Sequence, residues 1–185
     1  MAVAQAFCSV CGGATAEQMP EGDNRLRDVC AVCGHIHYIN PKLITGALPV
    51  KGDKVLLCKR NIEPRKGLWT LPAGFMEMAE TTAEGAARET VEESEAELTD
   101  KTFYALIDLP HISQVYVFYR ATLVGDHFAP TPESTEVKLF AEEEIPWEEL
   151  AFPVVKTVLK TFFRERVEGQ FGQHHFVLQK GQWLP

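Results

Sequence analysis

Three carboxylates, Glu89, Glu92 and Glu93, follow directly on Arg88. At 3.6 residues per turn, Glu89 and Glu93 stand one above the other on a helix face, with Glu92 beside them. Like charges so placed repel by roughly a few tenths of a kcal/mol per pair. A hard divalent cation reverses that sign, because carboxylate oxygens are what Mg²⁺ binds. The same run would also serve as the solvated face of an acidic helix, the common fate of charge runs. A second set of residues is soft where the first is hard. Cys8-Ser-Val-Cys11 and Cys30-Ala-Val-Cys33 are two C-x-x-C pairs separated by eighteen residues. That is the spacing of a four-thiolate zinc ribbon, although iron in the same cage or two disulfides would fit it. A site filled by four cysteines is closed, hence structural and not catalytic.

The surrounding sequence states how each set is positioned. Gly12 and Gly34 follow the cysteine pairs and suit tight turns whose amides point at sulfur. With four thiolates in place, His35 and His37 are surplus to a tetrahedral site. Cys58, in the apolar run Val55-Leu56-Leu57-Cys58, reads as a buried strand residue. Before the acidic helix, Leu68–Leu71 forms a short strand that enters a turn at Pro72 and Gly74. Thr81 and Glu84 have capping-box spacing, so the helix runs from Glu80 to about Glu95.

Gly74, Glu80, Arg88, Glu89, Glu92 and Glu93 stand at the spacings of the Nudix box, and the chain resembles that family from about Lys42 to Phe163. Two positions depart from the pattern: Thr90 where an aliphatic residue is usual, and Glu95 where the box has glycine. A left-handed helix end costs a non-glycine residue about 1 kcal/mol or more, so the helix is expected to end differently or run on. Ala79 also stands where many relatives have glycine.

The resemblance implies hydrolysis of a nucleoside diphosphate linkage with two or three Mg²⁺ or Mn²⁺ ions and a water nucleophile. It implies Glu89, Glu92, Glu93 and the carbonyl of Ala73 as metal ligands, with Arg88 bracing the acids through Glu84 or Glu92. Glu80 would brace the loop. The general base varies in this family, and the stretch Pro132–Glu136 offers Glu136 first and Glu133 second. Arg60 is a candidate for substrate phosphate, and Glu77 for an outer metal or plain surface. Trp69, Phe75, Tyr116 and His111 are candidates to stack on a substrate ring, or core aromatics. Relatives form homodimers, for which the apolar strand Val115–Tyr119 is a candidate surface.

The remaining elements follow from patterning. Leu43–Val50 and Lys54–Arg60 make a hairpin about Gly52-Asp53. Thr102–Asp108, Gln114–Val124 and Val137–Ala141 are further strands, and Phe171–Leu178 is a terminal one. Phe152–Val167 carries Val154, Val155, Val158, Leu159, Phe162 and Phe163 at helical spacing. The expected fold class is α+β: a mixed-sheet α/β/α sandwich of the Nudix type at 41–185, after a zinc ribbon at 1–40. Asn40-Pro41 marks the join.

A formal net charge of −8 argues against nucleic acid as partner, and no apolar run is long enough for a membrane span. The short stretch before Cys8 is unlike a signal peptide, so free thiols in a cytoplasmic setting are expected. The aromatic-proline signature of the NADH-pyrophosphatase branch and the coenzyme A signature are both missing. The ribbon, with Ile39–Lys42, Val55–Asn61, Gly67–Gly74 and Pro132–Glu136, resembles a branch acting on FAD and ADP-ribose. The expected substrate is therefore FAD or ADP-ribose, cleaved to AMP plus FMN or ribose 5-phosphate. NADH hydrolysis and a non-cutting ADP-ribose sensor are the alternatives; the intact acids favour an enzyme.

Overall fold

The computed structural model describes residues 5–180. Contacts within it fall into two units, residues 1–41 and 42–185. The first holds a three-stranded antiparallel sheet that the cysteine pattern had not disclosed. Its strands are β1 (Thr15–Gln18), β2 (Arg27–Cys30) and β3 (Ile36–His37), in that order. The turn before β2 is built on Asp23, whose carboxylate accepts from the amides of Asn24 and Arg25 and from Arg27 Nε at 2.9 Å. Cys30 closes β2 and is buried.

The second unit is a mixed sheet between two helices. Its strands are β4 (Lys42–Lys51), β5 (Lys54–Arg60), β6 (Trp69–Thr70), β7 (Ala73–Phe75), β8 (Leu98–Leu109), β9 (Gln114–Leu123), β10 (Ser134–Phe140) and β11 (His174–Val177). The path runs β10-β5-β4-β9-β8-β11, with β6 on β5 and β7 on β4. The β4–β9 and β8–β11 pairs are parallel, and the others antiparallel. Helix α1 spans Thr82–Ser94 and α2 spans Pro153–Glu168.

Alternation along β5 assigns the two faces. Val55 and Leu57 enter the main core with Leu48, Tyr104, Phe118 and the α2 residues Val154, Val158, Phe162 and Phe163. Leu56 and Cys58 enter the opposite cluster with Ala96, Leu123 and Val137. Full burial of each large apolar side chain of α2 contributes roughly 1.5–3 kcal/mol, so this helix is held chiefly by packing.

The hairpin of β4 and β5 is as the Gly52-Asp53 turn foretells, but the two strands stay paired only at Val50–Val55 and Lys51–Lys54. They then separate. Into the gap comes β7, pairing Ile44 with Phe75 and Gly46 with Ala73. Ala73–Phe75, expected from Pro72 and Gly74 to be a turn, is a strand because the opened flank of β4 has unpaired amides and carbonyls to satisfy. As for a dimer surface, β9 lies between β4 and β8, so both edges of Val115–Tyr119 are hydrogen-bonded inside the chain.

The ends of α1 are informative. Thr81 and Glu84 form the reciprocal capping box. Thr90 is fully buried, and its hydroxyl donates to the Ala86 carbonyl at 2.8 Å, so the missing aliphatic is replaced by a satisfied polar group. Glu95 corrects the expectation that the helix ends differently without glycine. It takes the left-handed conformation itself, at φ 56°, and its amide donates to the Val91 carbonyl. Ala79 does the same at φ 65°. Glu95→Gly should therefore raise stability by about 1 kcal/mol, read as a higher midpoint in thermal unfolding. Glu95→Val should lower it, since a β-branched residue tolerates that region least.

Candidate functional site

A cavity of about 960 Å³ opens where β7 meets α1 and reaches across the strand ends to β8 and beyond β11. Arg88, Glu89, Glu92 and Glu93 line it from α1, and Ala73, Gly74 and Phe75 from β7.

Arg88 organises the acids. Its Nε and Nη2 donate to both oxygens of Glu80, at 2.9 and 2.8 Å. Nη1 donates to Glu89 Oε1 at 2.7 Å and Glu92 Oε2 at 2.9 Å, and Nη2 also donates to the Phe75 carbonyl at 3.1 Å. All five guanidinium donors are thereby engaged. Glu84, offered by spacing as a partner of Arg88, is instead occupied by the cap at Thr81. Glu80 is the partner in its place. It lies eight residues before Arg88 and before the helix, so helical periodicity could not reveal it. Glu80 also accepts from the Glu77 amide at 2.7 Å, and with Arg88 beside it its carboxyl is held down at about 2.

Glu89 and Glu93 are buried, with 8 % and 5 % of their surface exposed. Glu93 has one side-chain hydrogen bond, from the Ala73 amide at 3.2 Å. Its carboxyl is pushed up to about 8, first by burial, against the Ala73 hydrogen bond, and further by Glu89. Burial raises Glu89 as well, opposed by Arg88. A carboxylate taken out of water without a paired cation is costly. An oxygen-binding cation at the cavity wall removes that cost, so this donor set fits Mg²⁺ or Mn²⁺.

Two glycines allow the approach. A Cβ on Gly74 would fall onto the Glu89 carboxylate. On Gly85 it would lie 2.6 Å from both Glu80 Oε1 and Thr45 Cγ2.

The candidate residues from the sequence sort clearly by placement. Arg60, Phe75, Glu77, His111 and Tyr116 all line the cavity. Arg60 gives its Nε to the Pro64 carbonyl at 2.9 Å and lies 5.1 Å over the Phe152 ring. Tyr116 stacks on Phe118. Trp69 is not in the lining; it is buried in the core, edge-on to Phe140. Glu136 is likewise elsewhere, paired with Lys59 at 2.7 Å and with Lys138, which hold its carboxyl at about 2. Glu133, the second choice in that stretch, does line the cavity. Register decides between them: Ser134 and Glu136 oppose Arg60 and Lys59 across a bulge, which turns Glu136 onto the lysines.

In the first unit the four thiols of Cys8, Cys11, Cys30 and Cys33 converge within 4.8 Å of one another. Cys8 and Cys33 sulfurs are 3.7 Å apart, and Cys11 and Cys30 sulfurs 3.5 Å. None is in a disulfide. Amides of Val10, Val32 and Cys33 point at sulfur, each at 3.4 Å, as the tight turns led one to expect. The amides of Cys33 and Val32 bring Cys30 down to about 6, while the sulfurs of Cys11 and Cys30 push Cys33 up to about 12. His37 is buried outside the cluster. The purified chain should release one equivalent of Zn²⁺ on thiol modification, counted with a chromogenic chelator; Cys11→Ser should abolish that signal.

Gly74→Ala is expected to weaken Mn²⁺ binding by ~10-fold or more with the fold intact, because it displaces Glu89. Calorimetric titration with Mn²⁺, alongside circular dichroism, measures this.

Residues 41–169 match the family model described as NUDIX domain, and residues 6–39 the zinc-ribbon model described as Nudix N-terminal. A crystal structure of a NUDIX hydrolase from Nitrosomonas europaea is 50 % identical, with a TM-score of 0.92, over 95 % of this chain and 99 % of that one. The NAD-capped RNA hydrolase NudC of Photobacterium profundum is 28 % identical over 145 residues, 77 % of this chain and 52 % of its own length. The ADP-ribose pyrophosphatase of Methanocaldococcus jannaschii is 27 % identical over 133 residues, 69 % of this chain and 76 % of its own. The chain thus spans about half the length of the first of these curated relatives.

Proposed function

The chain belongs to the Nudix family, and from that premise we propose that it hydrolyses the diphosphate bond of FAD or ADP-ribose, yielding AMP plus FMN or ribose 5-phosphate. The observation that carries this is buried Glu93, which has no ion-pair partner among the described residues and lies next to Glu89 on the wall of a cavity of about 960 Å³. That volume is at the upper end of small-molecule sites and has room for a dinucleotide.

Glu89, Glu92, Glu93 and the Ala73 carbonyl are the proposed holders of Mg²⁺ or Mn²⁺. Bound there, the metal neutralises diphosphate charge and lowers the pKa of water. The chain's own residues do the rest. Arg88 fixes Glu89 and Glu92 relative to the β7 backbone through the Phe75 carbonyl, and the Ala73 amide holds Glu93. Arg60 offers its guanidinium to a phosphate oxygen from the β5 flank. Glu133, solvent-exposed and in the lining, is the proposed acceptor of the proton from the attacking water. Phe75, half exposed at the lip, supplies a face for a ring.

NADH is the second reading, supported by the relatives named as NAD-capped RNA hydrolases. Those names also weigh against setting RNA-linked substrates aside on net charge alone, since the reacting diphosphate is the same group whatever follows it. The small-molecule dinucleotide remains the proposed partner because the lining combines acids with apolar walls, not a basic track.

The test is AMP release from FAD, ADP-ribose and NADH with Mg²⁺. Glu93→Gln is expected to lose at least about a hundredfold in kcat. Glu133→Gln should lose about 10²–10⁴-fold, with Glu136→Gln close to the parent. Retained ADP-ribose binding with no turnover of any dinucleotide would leave a sensor in place of an enzyme.

A further inference from the structure

The C-terminal strand bears on which substrate the cavity prefers. β11 pairs in parallel with β8, placing Val177 beside Asp108, and the Leu178 amide donates to the Asp108 carbonyl at 2.9 Å. The chain then continues into the cavity lining as Leu178, Gln179 and Lys180. A buried carboxylate fixes this course. Glu165 of α2 accepts from the Tyr104 hydroxyl at 2.7 Å and the Gly172 amide at 2.9 Å, and lies 2.8 Å from His174 Nε2.

From the metal-side acids to this wall the cavity crosses β4, β9, β8 and β11, three strand spacings of ~4.8 Å, or about 14 Å. Arg60 and Phe152 lie on the other flank, by β5. A diphosphate at the acids therefore has cavity lining on both flanks. The β11 compartment has an apolar floor of Leu109, Ile112 and Leu178. Lys180 is the one lysine lining the cavity among the described residues, and an ammonium offers three donors and no acceptor.

We propose that this compartment takes a second planar, acceptor-bearing heterocycle, and that Lys180 is the residue that selects for it. Building on the hydrolase reading, this makes a dinucleotide with two heterocyclic bases, such as FAD, a better substrate than ADP-ribose, which has one. The ring lies on Leu109, Ile112 and Leu178, and Lys180 donates to its carbonyl or ring nitrogen.

The experiment compares kcat/KM for FAD and for ADP-ribose in the full chain, with Kd for both from calorimetry in the presence of Mg²⁺. The parent is expected to favour FAD. Lys180→Ala should reduce the FAD-to-ADP-ribose ratio about tenfold, through KM and Kd and not kcat, and Lys180→Arg should restore most of it. An unchanged ratio, whether both substrates suffer equally or neither does, overturns the proposal. So does a parent that binds ADP-ribose as well as FAD. A parent that shows the expected Kd ratio but cuts neither overturns the hydrolase reading and leaves the compartment standing.

Discussion

Arg88 is the constraint on which the site depends. Left alone, Glu80, Glu89 and Glu92 would repel one another at the mouth of a partly apolar cavity. With five donors in a rigid planar fork, one guanidinium ties them together and to the Phe75 carbonyl of β7. Lysine could not do this, since a point charge with three donors lacks the fork that grips both oxygens of Glu80. Glu93 is the acid left out of the network. It is also the one that burial raises furthest, to about 8. The arrangement neutralises the structural acids and leaves a buried carboxylate whose charged form needs a partner from outside the chain.

The backbone is arranged around that need. Because β5 separates from β4 after two pairs, β7 can dock on β4 and set the Ala73 amide against Glu93. Glycine at 74 lets the Glu89 carboxylate lie against that strand, and glycine at 85 lets α1 press on Thr45 and Glu80. Local strain is accepted at Ala79 and Glu95, the two non-glycine residues in left-handed conformation that flank α1. Each costs about 1–2 kcal/mol. Packing of the sheet and helices offsets this, which is why a glycine can be absent from the helix end without the end moving.

Residue spacing disclosed the carboxylate ladder, the capping box, the hairpin and the four-thiolate cluster, because each is a local pattern with a fixed period. What it could not disclose depended on register or on contacts between distant segments. Glu80 reaches Arg88 from outside the helix. Glu133 and Glu136 differ only in which way a bulged strand turns them, and nothing in Pro132–Glu136 records the lysines of β5 and β10 that capture Glu136. Trp69 is by sequence open to ring stacking or to core packing, and burial against Phe140 claims it for the core. The lining from Leu178 to Lys180 was invisible for a different reason: a terminal strand's place in a sheet is set by its partner, here β8.

The two proposed metal sites differ in ligand chemistry. Thiolates are soft and favour zinc, whereas carboxylate and carbonyl oxygens favour Mg²⁺ or Mn²⁺. The cysteine site presents four sulfurs converging within 4.8 Å and buries two of the residues. It is closed, with no position left for a reacting group. The glutamates stand along an open wall, and among the described residues the thiols are the one cluster of three or more metal-binding side chains that converges so tightly. In the proposed hydrolase, an ion held there would keep coordination positions for water and for substrate phosphates. Drawing the acids to a single point would bind the cation better and leave it less to do.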